Sequence, residues 1–290
     1  MSINLDLIGK RSKLDPYTYN HDKVILYALS VGAGIHELDF LYEKNLQVLP
    51  TFAILPFMQG LKELKAKVGL NMHHTLQIGH EILFHEVIPT SGTLYSTAVL
   101  KAVYDKGDKG AIIHVDVDSQ DEDGRHIFRN RFTALDRKGG NFGGPPGLKM
   151  ADIELPTDAP ADFTVEYTTS PEQAALYRLN GDKNPLHIDP EFSQMLGLKR
   201  PILHGLCTCG FAVRAILHSI CGGEARRLKS FSTWFRKPVF PGDTLVVKGW
   251  QIKPGKYGIQ TKTQDGHVVL DHFVAEIKED KPRCDVKGPS

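Results

Sequence analysis

Hydrophobic and polar positions along this chain change period several times, and the changes come in the same order in both halves. In the second half, Ser170-Pro171-Glu172-Gln173 reads as a helix start. Ser170 can cap, Pro171 suits the first helical position and Gln173 completes a capping box. The helix runs through Ala174, Ala175 and Tyr177 and stops near Asn180-Gly181. Asp189-Pro190-Glu191 opens a second short helix that ends near Gly197. Leu206 to Ile220 is apolar on most sides, which predicts a long buried helix. The period then drops to two. Ser230 to Arg236, Thr244 to Ile252, Tyr257 to Gln264 and His267 to Ile277 read as strands. Turns at Pro241-Gly242-Asp243, Gly255 and Gln264-Asp265-Gly266 separate them. One buried helix followed by an antiparallel meander predicts a sheet wrapped around that helix. The first half repeats this order, with its helix near Phe52 to Val68 and its strands after Glu81.

The halves also match residue by residue. Tyr27-Ala-Leu-Ser-Val-Gly32 lies against Tyr177-Arg-Leu-Asn-Gly-Asp182 at an offset of 150, and Gly92 lies against Gly242. Leu49-Pro50-Thr51-Phe52 meets Arg200-Pro201-Ile202-Leu203 one position further on. Shared order at a near-constant offset predicts a duplicated domain. Gly139-Gly140-Asn141-Phe142-Gly143-Gly144-Pro145-Pro146-Gly147 reads as the junction. The expected division is a first repeat over residues 1–138, a Gly/Pro-rich linker over 139–160 and a second repeat over 161–290.

Composition narrows the function. With 35 Lys+Arg against 34 Asp+Glu in 290 residues, the net charge of +1 gives no electrostatic case for nucleic-acid binding. No run near 18 apolar residues predicts a membrane span, and the first residues lack an apolar signal core. The cysteines at 207, 209, 221 and 284 suggest no disulfide framework. Cys207 and Cys209 follow His204, but Cys-x-Cys in an apolar run reads as core rather than as a zinc site. No metal is expected.

The densest polar cluster is Asn180-Gly181-Asp182-Lys183-Asn184-Pro185-Leu186-His187. Asp182 and His187 can converge across this Gly/Pro turn and hold a water between a carboxylate and an imidazole. Asn184 can fix the water or the aspartate. Such residues in a turn also commonly bond only the backbone. Two features favour chemistry. Arg200-Pro201-Ile202-Leu203-His204-Gly205 leads into the apolar helix, whose first N–H groups can stabilise an oxyanion, and Gly205 admits a carbonyl close to the backbone. The repeats are also asymmetric: Asp182, Asn184 and His187 face Gly32, Gly34 and Glu37, so one copy holds the whole polar set.

Tyr177 to His187 followed by Arg200 to Cys207 closely resembles the hydratase 2 signature of the MaoC-like hydratases. Ile25 to Gly34, Leu41-Tyr42-Glu43, Leu49 to Ala53 and Gly139 to Gly144 resemble the family in the first half. The resemblance spans residues 7 to 280. It implies an α+β double hot-dog fold, each repeat a curved antiparallel sheet around a long central helix. It implies (R)-specific addition of water to a trans-2-enoyl-CoA, giving (3R)-3-hydroxyacyl-CoA, in fatty acid β-oxidation or related acyl-CoA metabolism. Asp182 and His187 match the family's catalytic pair, Asn184 its supporting residue and Gly205 its oxyanion N–H, while Glu43 occupies an acidic family position. The first repeat would then enclose the acyl chain.

No cofactor is implied, because CoA is part of the substrate. Lys183, Lys199 and Arg200 are candidates for its phosphates. A homodimer and a peroxisomal location are expected from the family, although the terminal Gly288-Pro289-Ser290 is not an S-K-L address, which leaves a cytoplasmic alternative. Acyl-CoA thioester hydrolysis and an inactive acyl-CoA-binding homologue are the rival readings.

Overall fold

The computed structural model describes residues 3–69, 74–147 and 153–278. The first repeat contains β1 (Asp15–Tyr19), α1 (His21–Ser30), α2 (Ile54–Val68), β2 (Thr75–Phe84), β3 (Gly92–Asp105), β4 (Ala111–Gln120) and β5 (His126–Asp136). The second contains β6 (Phe163–Thr168), α3 (Gln173–Tyr177), α4 (Pro190–Met195), α5 (Gly205–Ile220), β7 (Leu228–Phe235), β8 (Thr244–Lys253), β9 (Lys256–Thr263) and β10 (Val268–Ile277).

The strands form one antiparallel sheet in the order β1-β3-β4-β5-β2-β7-β10-β9-β8-β6. The order reads alike from either edge, with each strand facing its repeat counterpart. The seam is the β2–β7 pair, where Ile82 lies opposite Phe231 and His80 opposite Thr233. The two copies are thus hydrogen-bonded into a single sheet. The central helices lie against it for different reasons. Helix α5 is buried at every position from Leu206 to Leu217, as expected from its all-round apolar sequence. Helix α2 is amphipathic: Phe57, Leu61, Leu64 and Val68 form its buried stripe, and Gly69 ends it at φ 81°. Together these describe the double hot-dog architecture expected from the sequence.

Contacts between the repeats follow the offset. Tyr27 and Tyr177 bring their ring centroids to 6.2 Å. The Asn180 side-chain amide donates to Ser30 Oγ at 2.8 Å, and Gln173 donates to the Ser30 carbonyl at 2.7 Å. Each of these satisfies a polar group sealed from water, which would otherwise cost about 1–3 kcal/mol.

Some expectations shift. Strand β2 begins at Thr75, before Glu81, and its inner-face position His80 is polar, which hides the alternation. The first helix of the second half ends at Tyr177 and continues as a 3₁₀ turn to Asn180. Its capping box is modified. Gln173 accepts from the Ser170 N–H at 3.1 Å, whereas the Ser170 hydroxyl accepts from Glu172 N–H rather than from Gln173. Asp189 caps α4 as read, accepting from the N–H groups of Glu191 and Phe192. The first part of the Gly/Pro stretch folds back on the end of β3: the Asp105 carboxylate accepts from the N–H groups of Asn141 and Gly143, and its own N–H donates to Pro145. Cys207, Cys209 and Cys221 are buried and burial pushes all three thiols up, so they are inert core residues. Cys284 lies outside the described residues.

Candidate active site

Local bonding shapes the loop between α3 and α4. Gly181 adopts φ 127°, a conformation that a side chain would resist, and turns the chain directly before Asp182. The Asp182 carboxylate accepts from the Asn184 N–H at 3.2 Å, and the Asn184 side-chain oxygen accepts from Leu186 N–H at 3.1 Å. Asn184 therefore caps the 3₁₀ turn Pro185–His187 that carries the histidine. Its role is to set the loop's shape and, through its backbone, the carboxylate.

His187 is buried, and its Nδ1 lies 2.9 Å from the Ile202 carbonyl. A carbonyl only accepts, so Nδ1 carries the proton and Nε2 keeps its lone pair in the neutral ring. Burial lowers the His187 pKa below the ordinary histidine range, opposed by the Ile202 bond and the Asp182 charge. The neutral form therefore prevails at neutral pH.

His204 completes the cluster. Asp182, His187 and His204 each bring a donor atom within 4.8 Å of the others. The two imidazoles stack with centroids 3.7 Å apart and planes at 28°. His204 donates from Nε2 to the Asp182 carbonyl at 3.3 Å, and the Tyr177 ring centroid lies 4.8 Å from its own. Burial lowers the His204 pKa to about 3, and any protonation of the adjoining His187 would act in the same direction. Sequence reasoning did not place His204 in the site. Its signal was its position directly before Gly205. The trio has metal-binding donor types, and one nitrogen of each ring is already engaged, His187 Nδ1 with the Ile202 carbonyl and His204 Nε2 with the Asp182 carbonyl.

Gly205 is the first residue of α5, and its N-cap His204 makes no side-chain capping bond. The first-turn N–H groups of a helix have no partner within the helix, so this end can donate to a developing negative charge. A β-carbon on Gly205 would lie 3.0 Å from Phe235 Cδ1, so any side chain there would press on that ring.

Asp182, Asn184, His187 and Gly205 are thus gathered at the amino end of α5. The other candidates are more dispersed. Lys183 and Lys199 are exposed. Arg200 is committed to the β7–β8 turn, donating to the Pro241 carbonyl at 2.9 Å with its guanidinium over the Phe240 ring. Glu43 is exposed on the turn Glu43–Asn45. The acidic residue of the first repeat that reaches the second is Glu37, the counterpart of His187. Its carboxylate pairs with buried Arg214 and with His218 of α5 and accepts from Gly34 N–H at 3.0 Å. Burial would raise the Glu37 pKa, but the His218 and Arg214 bonds outweigh it and hold it at about 2. In the first repeat an ion pair stands at the position that His187 occupies in the second.

Lys65 of α2 is a further residue that sequence reasoning did not single out. It is half-buried, adjoins the apolar stripe of α2, and its ammonium sits over the Phe132 ring at 5.3 Å. Burial lowers its pKa, and the Asp182 charge works in the opposite direction.

The comparisons with known proteins agree with this architecture. Residues 17–138 match the MFE-2 hydratase 2 N-terminal domain and residues 152–272 the MaoC like domain. The chain is 38% identical to "Probable enoyl-CoA hydratase 2" of Dictyostelium discoideum, covering 92% of this chain and 94% of the relative. It is 37% identical to "Enoyl-CoA hydratase 2, peroxisomal" of Arabidopsis thaliana, covering 81% and 82%. A MaoC-like dehydratase from Phytophthora capsici superposes with a TM-score of 0.85 at 29% identity, over 96% of this chain and 99% of that one. The chain belongs to the MaoC-like hydratase 2 family.

Proposed function

We propose that this chain is an (R)-specific 2-enoyl-CoA hydratase that adds water across a trans-2-enoyl-CoA to give (3R)-3-hydroxyacyl-CoA within fatty-acid β-oxidation. The observation that carries the reading is the placement of Asp182 and His187 beside the amino end of α5, with His187 neutral and its Nδ1 proton committed to Ile202. Two acceptors then remain for one water, the Asp182 carboxylate and His187 Nε2. Holding both water protons leaves an oxygen lone pair to attack Cβ, which the thioester carbonyl makes electron-poor. As the C–O bond forms, the C=C electrons move toward the thioester oxygen, where the Gly205 N–H stabilises the charge. One such donor is worth about 2.7–4 kcal/mol in comparable sites. The pair takes one water proton and Cα receives one, so the product differs from substrate by one water. Asp182 and His187 share this proton traffic as a coupled pair. Asn184 orients Asp182, and His204 braces His187.

In this reading Lys183 and Lys199 meet the CoA phosphates, while Arg200 and Glu43 support loops. The two repeats divide near residues 139–160, with the first housing the acyl chain. A peroxisomal location is carried in the names of relatives such as the Arabidopsis hydratase, which supports the same location here, while a homodimer is the assembly expected of the family. Among the described residues no helix is long and apolar enough to cross a membrane.

Crotonyl-CoA tests the reaction class. Hydration removes the conjugated enoyl absorbance without releasing thiol. Release of free CoA with no hydroxyacyl product would indicate thioester hydrolysis instead.

A further inference from the structure

The rings behind the catalytic loop form a column that begins in the other repeat. Tyr19 of β1 lies 4.9 Å from Phe52, centroid to centroid, and Phe52 meets Tyr27 of α1 edge-on at 5.7 Å. Tyr27 lies 6.2 Å from Tyr177 of α3, Tyr177 lies 4.8 Å from His204, and His204 stacks on His187 at 3.7 Å. All six residues are buried. The column crosses from the first repeat to the second at Tyr27 and Tyr177, which are counterparts at the offset of 150. The helices that carry it are locked together. The Ser30 carbonyl at the end of α1 accepts from Gln173 of α3 at 2.7 Å and from Cys207 Sγ of α5 at 3.4 Å. A β-carbon on Gly210 of α5 would lie 2.5 Å from Val31 Cγ1, so α1 and α5 approach as closely as a glycine allows.

We infer that Tyr27 and Tyr177 are positioning residues for the hydration, so that the first repeat sets the aim of His187 through the rings of Tyr177 and His204. The inference rests on the hydratase reading above and adds residues to its site. The bond from His187 Nδ1 to the Ile202 carbonyl fixes one point of the imidazole and leaves the ring free to tilt about it. Its face contact with His204 removes that freedom and so directs Nε2. His204 is held likewise, by one bond to the Asp182 carbonyl and by the Tyr177 ring, which Tyr27 backs from the first repeat. A close-packed interior passes a displacement along such a column rather than absorbing it. Asp182 acts electrostatically on both imidazoles and Arg178 on His204, and neither is altered by trimming a ring in the first repeat. Loosening the column would admit water and relieve the desolvation that holds His187 low, so its pKa would rise toward the ordinary histidine range.

The test has two arms, crotonyl-CoA kinetics across pH and, without substrate, an NMR titration of the His187 imidazole. Tyr27→Leu should lower kcat about tenfold or more while KM stays within about twofold, because it misplaces a reacting group without touching substrate. The acid limb of its kcat profile and the His187 titration should both move to higher pH. Tyr27→Phe keeps the ring and should match the wild-type chain in both arms. Phe52→Leu, a milder change one ring further out, should give a smaller shift of the same sign, and it decides the matter if Tyr27→Leu does not fold. Val103→Ala trims the buried core of the first repeat outside the column and should move neither readout. A His187 titration unchanged in Tyr27→Leu and Phe52→Leu, equal losses in Tyr27→Leu and Tyr27→Phe, or the same shift in Val103→Ala overturns the inference. Absence of hydration by the wild-type chain overturns the hydratase reading instead, and the NMR arm still decides whether the column holds His187.

Discussion

The imidazole of His187 stacks face to face on that of His204, with ring centroids 3.7 Å apart. Two such rings cannot both be charged in a buried site. His204, donating to the Asp182 carbonyl and packed against Tyr177, is the more deeply buried partner and is held neutral. Its neutrality removes a repulsive charge from beside His187. Tyr177 in turn packs on Tyr27, so the order of the site depends on contact between the two repeats.

A pH dependence follows. Both histidine pKa values are depressed in the fold, His204 to about 3 from 6.5. Between those values the unfolded chain binds more protons than the folded one, so stability is present above pH 6.5 and falls as pH drops toward 3. The midpoint of thermal unfolding should decline steadily from pH 7 to pH 4, and less steeply in His204→Gln. Turnover should fall only on acidification below the ordinary histidine range. A flat stability profile over this interval would show that neither histidine is held neutral by the fold.

Gly205→Ala probes the helix end. The added methyl meets Phe235 Cδ1 at 3.0 Å, so the ring or the helix start must move. A shift of the oxyanion donor should cost about tenfold to a hundredfold in kcat, below the full loss of a donor. Relieving the crowding with Phe235→Leu in the same chain should recover part of it. Equal rates for Gly205→Ala and wild type would remove Gly205 from the mechanism.

The Glu37–Arg214 pair links the repeats where the first has Glu37 in place of His187. Arg214 also donates to the Val31 carbonyl and lies over the Tyr167 ring. Removing one partner of a buried pair strands the other, so Arg214→Met should destabilise by about 3–5 kcal/mol in denaturant titrations. Arg200→Met, at an exposed site, should cost about 1 kcal/mol or less. Similar costs for the two would mean that the clamp contributes little.

Much of this was legible in the residues. The all-round apolar run after Gly205 specified a buried helix, and period-two stretches from Ser230 onward specified the meander. The offset of 150 reappears as Tyr27 on Tyr177 and Ser30 bonded to Asn180. Three features escaped. The edge strands β1 and β6 alternate but are only five and six residues long, too short to stand out as period-two runs. The beginning of β2 is disguised by inward-facing His80. His204 enters the site through packing of the α5 amino end on Tyr177 of α3, a long-range juxtaposition that no local pattern encodes. The functional loop was easier to read because its residues lie within one turn, and because its counterpart Gly32, Gly34 and Glu37 lacks the same set.

Asp182→Asn tests the central claim most directly. The substitution preserves shape and the Asn184 contact while removing the carboxylate's charge and basicity. Turnover of a trans-2-enoyl-CoA by both proteins should be followed with chiral analysis of the product. The account predicts (3R)-3-hydroxyacyl-CoA from the wild-type chain and a rate about 10²–10⁴-fold lower from Asp182→Asn, with folding and substrate binding retained. An undiminished rate in Asp182→Asn, or a (3S) product from the wild-type chain, would contradict it.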